Sequence, residues 1–518
     1  MKLQAMIAGT ALLLCSAAAQ AADPSPSQVS AVPIPEEQID RAIGQIDSLA
    51  AAILQKGAIP GMAVAVVRNG SIVYAKGFGV RKAGEPALID TDTVFQIASL
   101  SKSLTSSVVA RQVGAGIVAW DTPVVKHLPW FRLKDPWVTS HVTIGDLLSH
   151  RSGLPDHAGD ALEDLGFDRR QVLERLRLLP LAPFRISYAY TNFGFTAAAA
   201  AVAAASGKDW ETLSEEVLYK PLGMNATSSR FSDFEKRSNR AFGHARIDGA
   251  FRAKYQRRPD AQSPAGGVSS SVNDMARWLA MVTQGGKFED REVVDAKALL
   301  AAMTAQTISN HSGTLDARPG FYGYGFNVHT TSAGRISIGH SGGFSLGAAT
   351  NFAILPSVGI GIVVLTNAAP IGVAETLATQ FMDLVQFGKI ERDWLAGYSA
   401  VLAPQTAPAG SLVGKQKPPK PAPASALSAY IGSYASDYYG TAQVIRRGDA
   451  LVLKLGPAGI EYPLTHWDGN AFTFEPRNEN EPDGSVSLAT FGPAQNSRSR
   501  RLTIEYLNDE GLGTFVRK

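Results

Sequence analysis

The sequence predicts an α+β fold: an antiparallel sheet flanked by helices, with an all-helical block between its opening and closing strands, followed by a small antiparallel β-barrel. Three observations carry this prediction. Apolar runs of strand length open the first folded region, and others recur after Phe321. The long stretch between them has helical periodicity instead. Strands gathered at both ends of a region, with helices between, fit one antiparallel sheet better than alternating βα units. From Leu427 to Lys518 short strand signals repeat, punctuated by Gly448-Asp449 and Asp468-Gly469, the pattern of a small barrel.

At 518 residues the chain exceeds one ordinary core, so at least two domains are expected. It is 45% hydrophobic and 18% charged, a globular composition. A net charge of +3 is small for this length and points to neither a nucleic-acid nor an anionic-membrane partner. Lys2, the apolar run Ala5 to Ala18, and Ala19-Gln20-Ala21 read as a signal peptide over residues 1–21. Export to the periplasm or the extracellular space is the expectation. The lone cysteine, Cys15, lies inside that segment, so the mature chain is expected to carry neither a disulfide nor a thiol nucleophile. No later stretch is long and apolar enough to span a bilayer.

Along the chain, Glu36 to Gln55 has helical periodicity. Gly61 to Val67 and Ser71 to Ala75 are apolar runs separated by Arg68-Asn69-Gly70, a hairpin signal. Helices are expected over Ala98 to about Ala119, from Thr143, over Phe193 to Ala205, and over Ser271 to Gln284. Tyr324–His329, Arg335–Ile338, Ala348–Ile354 and Gly359–Leu365 read as strands, and Glu375–Phe387 as a closing helix. These elements delimit a domain over residues 36–390. Residues 391–426 follow as a linker, rich in proline and lysine from Ala403 onward. The barrel takes residues 427–518, where Thr441–Arg446, Leu451–Leu455, Ala471–Phe474 and Leu502–Tyr506 read as strands.

Ser99-Leu100-Ser101-Lys102 opens one of the predicted helices. A serine hydroxyl needs a nearby base at neutral pH, and a lysine three residues on lies on the same helix face. Burial lowers a lysine pKa towards a useful base. In Tyr190-Thr191-Asn192, the phenol, ionised or neutral, is suited to shuttle a proton near Ser99. The Asn192 amide is suited to hold Lys102 and a substrate amide together. Gly339-His340-Ser341-Gly342-Gly343 follows a predicted strand. A glycine-rich strand edge admits a substrate close to the backbone and offers an N–H to an oxyanion hole beside that of Ser99.

In this order, Ser-x-x-Lys, Tyr-x-Asn and His-Ser-Gly, the chain resembles the penicillin-recognising serine hydrolases. These include class C β-lactamases, DD-peptidases, D-aminopeptidases and related esterases. Phe95 to Ser103, Thr143 to Pro155 and Pro264 to Ser271 resemble further segments of that family, and the likeness runs from about residue 36 to 390. The C-terminal part is similar to the lipocalin-like barrel appended to some members. The resemblance implies a β-lactamase/DD-peptidase-like domain and acyl transfer without metal or organic cofactor. Ser99 would form the acyl-enzyme, and Lys102 and Tyr190 would share base and acid work, with the first acceptor of the proton left open. Asn192, His340, Ser341 and Gly342 would bind substrate, and the N–H groups of Ser99 and Gly343 would form the oxyanion hole. The implied partner is a small molecule or short peptide; a homo-oligomer is left open.

His340 stands where many relatives carry lysine, and histidine is only partly charged near pH 7. That lowers the expectation of a dedicated β-lactamase. No Glu-x-x-Leu-Asn occurs, so the deacylating glutamate of class A enzymes is absent. A peptidase acting on small or D-residue-containing peptides is favoured over a carboxylesterase or weak β-lactamase. Two rivals complete the reading. Ser341 and Ser345 each sit in Gly-x-Ser-x-Gly, the nucleophile elbow of α/β-hydrolases, which needs a strand before it, a helix after it and a later histidine. A non-enzymatic penicillin-binding or cell-wall-sensing module is the other, disfavoured because Ser99, Lys102, Tyr190 and Asn192 are all present.

Overall fold

Strands β1 (Gly61–Arg68) and β2 (Ser71–Gly79) form the expected hairpin. Asn69 and Gly70 both turn left-handed, with φ of 50° and 78°, as a two-residue turn matched to strand twist requires. The structure, a computed structural model, describes Val29 and residues 32–518; the segment read as a signal peptide, residues 1–21, lies outside the described residues.

Six later strands complete the sheet: β3 (Thr307–Asn310), β4 (Gly320–Tyr322), β5 (Asn327–Thr330), β6 (Ile336–Phe344), β7 (Ala348–Leu355) and β8 (Ile360–Thr366). Their spatial order is β2-β1-β8-β7-β6-β5-β4-β3, antiparallel throughout. The first strand of the sheet in chain order therefore pairs with the last, and β6 sits in the interior of the sheet.

Seven helices matter to the site and its frame: α1 (Glu36–Gly44), α2 (Ile46–Gly57), α3 (Leu100–Gly114), α4 (Asn192–Ser206), α5 (Val272–Thr283), α6 (Val373–Phe387) and α7 (Trp394–Thr406). Alternate residues of β1 and β8 serve opposite faces, as the strand period of two dictates. Met62, Val64, Val66, Ile362 and Val364 pack with Ile39, Ile46, Ile53, Leu377 and Phe381 of α1, α2 and α6. Ala63, Ala65, Val67, Val363 and Leu365 belong to the other core, with Trp278 and Leu279 of α5 and Leu100 and Leu104 of α3. Burial on both faces explains why β1 reads as a continuous apolar run.

Within the helical block, Thr143 caps the short helix Ile144–Leu148 in a capping box with Asp146. The alanines of α4 are its packing surface: Ala197, Ala198, Ala199 and Ala201 are fully buried. Small side chains let α4 lie close to the helix Ile144–Leu148 and to α3.

The C-terminal strands close into an eight-stranded barrel in chain order: β9 (Gly432–Ser436), β10 (Gly440–Arg447), β11 (Ala450–Leu455), β12 (Ile460–Asp468), β13 (Ala471–Phe474), β14 (Ser487–Phe491), β15 (Arg501–Ile504) and β16 (Thr514–Arg517). Tyr434, Leu453, Phe472, Phe491, Leu502 and Phe515 fill it. Closure removes exposed strand edges.

The strand read over Leu502–Tyr506 ends at Ile504 and gives way to a 3-10 turn, Glu505–Leu507, and residues 339–343 lie inside β6 rather than after a strand. Two further segments depart from expectation. Residues 324–326 are turned rather than extended: Gly325 has φ of 77°, and a Cβ there would meet Ser106 Oγ at 2.4 Å and Lys102 O at 2.7 Å. The turn is pressed against α3, where Ser103 Oγ donates to Gly325 O at 2.6 Å. The second lies in the stretch read as a linker. Within 391–426, Trp394–Thr406 is helix α7, despite Pro404 in its last turn. Tertiary contacts hold it: Trp394 Nε1 donates to Asp383 Oδ2 at 2.6 Å, Tyr398 and Thr379 share a hydroxyl bond at 2.9 Å, and Ser399 Oγ donates to Ile371 O at 2.8 Å.

The barrel is seated on the rest of the molecule, and the apolar core runs into it without a break. At the seam Arg257, buried, pairs with Glu163 and lies 3.5 Å from Asp164. Asn480, on the loop between β13 and β14, donates to Asp164 at 2.6 Å. Burial pushes the Asp164 carboxyl up to about 6 against the pull of Arg257. Arg257→Gln should therefore strand two buried carboxyls and cost about 3 kcal/mol at pH 8. The deficit should shrink towards pH 5, where the folded protein already holds a proton on Asp164 and leaves less charge for Arg257 to offset, although the unfolded carboxyl is still ionised there. Chemical denaturation at the two pH values measures the difference; an equal loss at both would refute the account.

Candidate active site

Ser99 stands at the N-cap position of α3, and its side chain makes no capping bond. The residue before it, Ala98, is left-handed with φ of 47°, a conformation a non-glycine residue adopts only when its surroundings impose it. They do so here. Ser101 Oγ donates to Ala98 O at 2.6 Å and accepts from Val268 N at 3.0 Å. Ile97 N donates to Val268 O at 3.0 Å, and Thr350 Oγ1 donates to Ile97 O at 2.8 Å. The turn is pinned from three sides, and the Ser99 side chain is left facing a cleft.

Lys102, one turn along α3, is fully buried. Its Nζ meets three oxygens: Asn192 Oδ1 at 2.7 Å, Ala265 O at 3.0 Å and Ser99 Oγ at 3.1 Å. It also lies 4.5 Å from the centre of the Tyr190 ring. Burial, only partly offset by Asp160, brings Lys102 down to about 7. The amide oxygen and the carbonyl can only accept. A neutral amine would satisfy both with its two N–H bonds and turn its lone pair to Ser99 Oγ. A charged one would donate to all three. The pocket serves both states, as proton exchange with the serine requires.

Tyr190 O–H donates to Ser99 Oγ at 2.7 Å. Burial raises its pKa far above the ordinary phenol, so of the two forms the sequence left open, the neutral one is present. Its loop is anchored below: Asp146, fully buried, takes Arg151 and Arg185 at 2.9 and 3.0 Å, and Thr191 N donates to His150 Nδ1 at 3.1 Å. His150 is buried, its ring 4.5 Å from that of Tyr190, a packing residue. His157 N donates to Tyr190 O at 2.8 Å, which ties the next loop to the same place.

Strand β6 supplies the opposite wall. A Cβ on Gly342 would lie 2.8 Å from Ser99 N and 2.7 Å from Ile97 O, so only glycine lets the strand pass this close. Gly343 is exposed next to it and lines the cleft with Ser99, His340 and Ser341. Ser341 Oγ accepts from Asn351 Nδ2 at 3.0 Å. Ser341 lies inside β6, and Ser345 lies between β6 and β7. The helix required after a nucleophile elbow is absent at both. The late histidine that such a triad needs, His466, is in the barrel, against Gly469 O.

His340 requires a correction. It is 4% exposed, and both ring nitrogens are engaged. Nδ1–H donates to Ser341 O at 2.6 Å, and Nε2 accepts from Tyr322 O–H at 2.8 Å. Burial, then the nearby Lys102, lowers it to about 3. The ring is neutral at pH 7, not partly charged.

The cleft has a volume of about 710 Å³. Several residues that line it carried no sequence signal: Glu375 of α6, Leu402 and Gln405 of α7, and Glu479 and Asn480 of the barrel. Glu479 accepts from Ser345 N at 2.6 Å and Leu346 N at 3.3 Å, at the turn that leaves β6. Ala265, whose carbonyl accepts from Lys102, belongs to the Pro264–Ser271 segment singled out above.

A serine and lysine one helical turn apart, beside a tyrosine, against an interior strand of an antiparallel sheet with an inserted helical block, define a serine hydrolase. The chain belongs to the Beta-lactamase family, whose model matches residues 46–387. A second model, a domain of unknown function (DUF3471), matches residues 416–511. Among curated relatives, the "Unguisins hydrolase ungD" of Aspergillus violaceofuscus is 27% identical over 75% of this chain and 74% of its own. The "D-alanyl-D-alanine-carboxypeptidase/endopeptidase AmpH" of Escherichia coli is 27% identical over 69% and 91%. "Esterase EstB" of Burkholderia gladioli is 31% identical over 35% and 50%. The octameric penicillin-binding protein homologue from Pyrococcus abyssi superposes with a TM-score of 0.58 at 21% identity, covering 92% of this chain and all of its own, a likeness of fold.

Gly342→Ala should force β6 away from Ser99. Steady-state kinetics should show kcat/KM lower by about 100-fold, the scale of a lost oxyanion donor, while circular dichroism stays native. Undiminished turnover would mean that this approach is not needed.

Proposed function

We propose that Ser99 is the nucleophile, that Lys102 takes its proton, and that the substrates are amides of small or D-residue-containing peptides. The observation that carries the first part is the set of three oxygens around Lys102 Nζ. Its two pure acceptors leave the lone pair of the neutral amine for the serine proton. Tyr190, held protonated, is the donor that passes a proton towards the leaving nitrogen; in deacylation it takes one back from the attacking water, while Lys102 returns the serine proton to the departing Ser99 oxygen. The carbonyl of the substrate gains the Ser99 oxygen, loses its amine, and the acyl-enzyme is released by water. Asn192 orients Lys102 and the substrate amide, and the Ser99 and Gly343 N–H groups hold the developing oxyanion.

Amides are favoured over esters because an amide nitrogen must be protonated to leave and an alkoxide need not be; Tyr190 supplies that proton. Two features speak against a dedicated β-lactamase. His340 is neutral, and the other cations lining the cleft are committed: Arg257 to Glu163 and Asp164, His157 to Asp160. A substrate carboxylate finds no free cation among the described lining residues. Small size follows from the roof, where Glu479 and Asn480 of the barrel and Leu402 and Gln405 of α7 close over the cleft. We further propose that the barrel, residues 427–518, is a fixed lid on the hydrolase domain, residues 36–390, and that export by residues 1–21 delivers both.

The test is a panel of a chromogenic cephalosporin, a p-nitrophenyl acetate ester and p-nitroanilides of D- and L-alanine, run on wild type and Ser99→Ala. The D-alanine anilide should turn over and the cephalosporin lag, with Ser99→Ala at least ~1000-fold slower on every substrate. Turnover of the ester alone, or an active Ser99→Ala, refutes the proposal. On the ester, kcat/KM should rise with pH through about 7 as Lys102 loses its proton. Asn480→Ala should open the roof and shift selectivity towards longer peptides by about 3- to 10-fold; unchanged relative rates on a peptide ladder would count against a lid.

A further inference from the structure

Behind Asn192 stands a carboxylate that the proposed chemistry does not use. The Asp160 side chain is 7% exposed. Its Oδ2 accepts from Asn192 Nδ2 at 2.8 Å and meets His157 Nδ1 at 2.9 Å, while its Oδ1 is buried without a partner. The ends of an asparagine amide have one shape and opposite polarity. A carboxylate only accepts, so it draws Nδ2 to itself and leaves Oδ1 facing Lys102 at 2.7 Å. A flipped amide would set oxygen against oxygen at Asp160 and N–H against N–H at Lys102.

We propose that Asp160 is a positioning residue for the hydrolysis: it holds the Asn192 amide in the orientation that accepts from Lys102, with His157 as its opposing charge. The inference rests on the reading of Lys102 as the base for Ser99. Without Asp160, Lys102 loses an oriented acceptor, and its remaining N–H bonds no longer fix where its lone pair points.

The charges around the pair give the idea a sign. Asp160 faces Asp156 and His157 of its own loop, Glu163 and Asp164 one turn on, Tyr190 beside the serine, and Tyr438 from the barrel. Lys102 faces Asp160, His150, His157 and His340. The negative Asp160 favours the Lys102 ammonium, and a protonated His157 disfavours it. Asp160→Asn therefore lowers the pH at which Lys102 becomes a base, and His157→Ala raises it.

The experiment is the pH dependence of kcat/KM and of kcat on p-nitrophenyl acetate for the full chain, comparing wild type, Asp160→Asn, His157→Ala and Ser99→Ala. Asp160→Asn should lose about 10-fold or more in kcat with KM within about 2-fold, because a base is misaligned rather than a binding contact removed. Its acid limb should move down by about one pH unit, and that of His157→Ala should move up by a few tenths. Limbs that stay in place, or that move in the same direction, overturn the inference. A purely structural Asp160 would lower the melting temperature and leave the limb of the surviving enzyme where it was. If Asp160→Asn does not fold, His157→Ala decides alone: an upward shift supports the assignment, and an unmoved limb overturns it. Wild-type turnover by Ser99→Ala would instead sink the reading of the nucleophile, an outcome separate from any shift at Asp160.

Discussion

A lysine amine removed from water, within reach of three oxygens, is the constraint on which the rest of this molecule turns. Burial of Lys102 makes its charge costly, and only a closed set of acceptors makes the position tenable. Each acceptor comes from a different part of the chain: Ser99 from the start of α3, Asn192 from the start of α4, and Ala265 O from the segment before α5. Helices far apart in sequence must therefore converge at one atom. The alanine-lined packing of α4 serves that convergence, as does the pinned turn at Ala98.

The sheet contributes differently. It supplies no titrating group at the reaction centre but a wall of backbone, brought against Ser99 because Gly342 has no side chain. The same strand carries His340, whose ring is locked between Tyr322 and the Ser341 carbonyl. A residue that looks like an ion in the sequence is here a neutral strut. Its neutrality also bears on Lys102, since a second cation in the same enclosure would work against any remaining lysine charge.

The barrel is joined to this machinery through charge as well as apolar contact. Arg257 binds Glu163 and Asp164, Asn480 reaches Asp164, and Glu479 accepts from the backbone that leaves β6. Burial against the strand wall raises Glu479 to about 8. One helical turn separates Asp160, which faces the centre, from Asp164, which faces the barrel. The barrel contact and the reaction centre thus share a support.

Local rules were enough for much of this. The turn at Asn69-Gly70, the capped helix after Thr143, the alanine helix and the apolar strands of the sheet centre are written in residue order, because backbone preference and burial period act over a few neighbours. Ser99, Lys102, Tyr190 and Asn192 were legible because a helix places residues three apart on one face, and because their motifs fall in a recognisable order. Sequence alone thus determined the fold class, the family and the four residues that meet at one centre. Tertiary structure decided what no local pattern encodes. It set the charge of His340, which depends on burial and on the partners of both ring nitrogens. It made Trp394–Thr406 a helix through contacts with α6 rather than through propensity. It brought Asp160, Glu375, Glu479 and Asn480 to the cleft from separate segments. Electrostatics and burial are set by neighbours in space, and those neighbours are fixed only when the chain has folded.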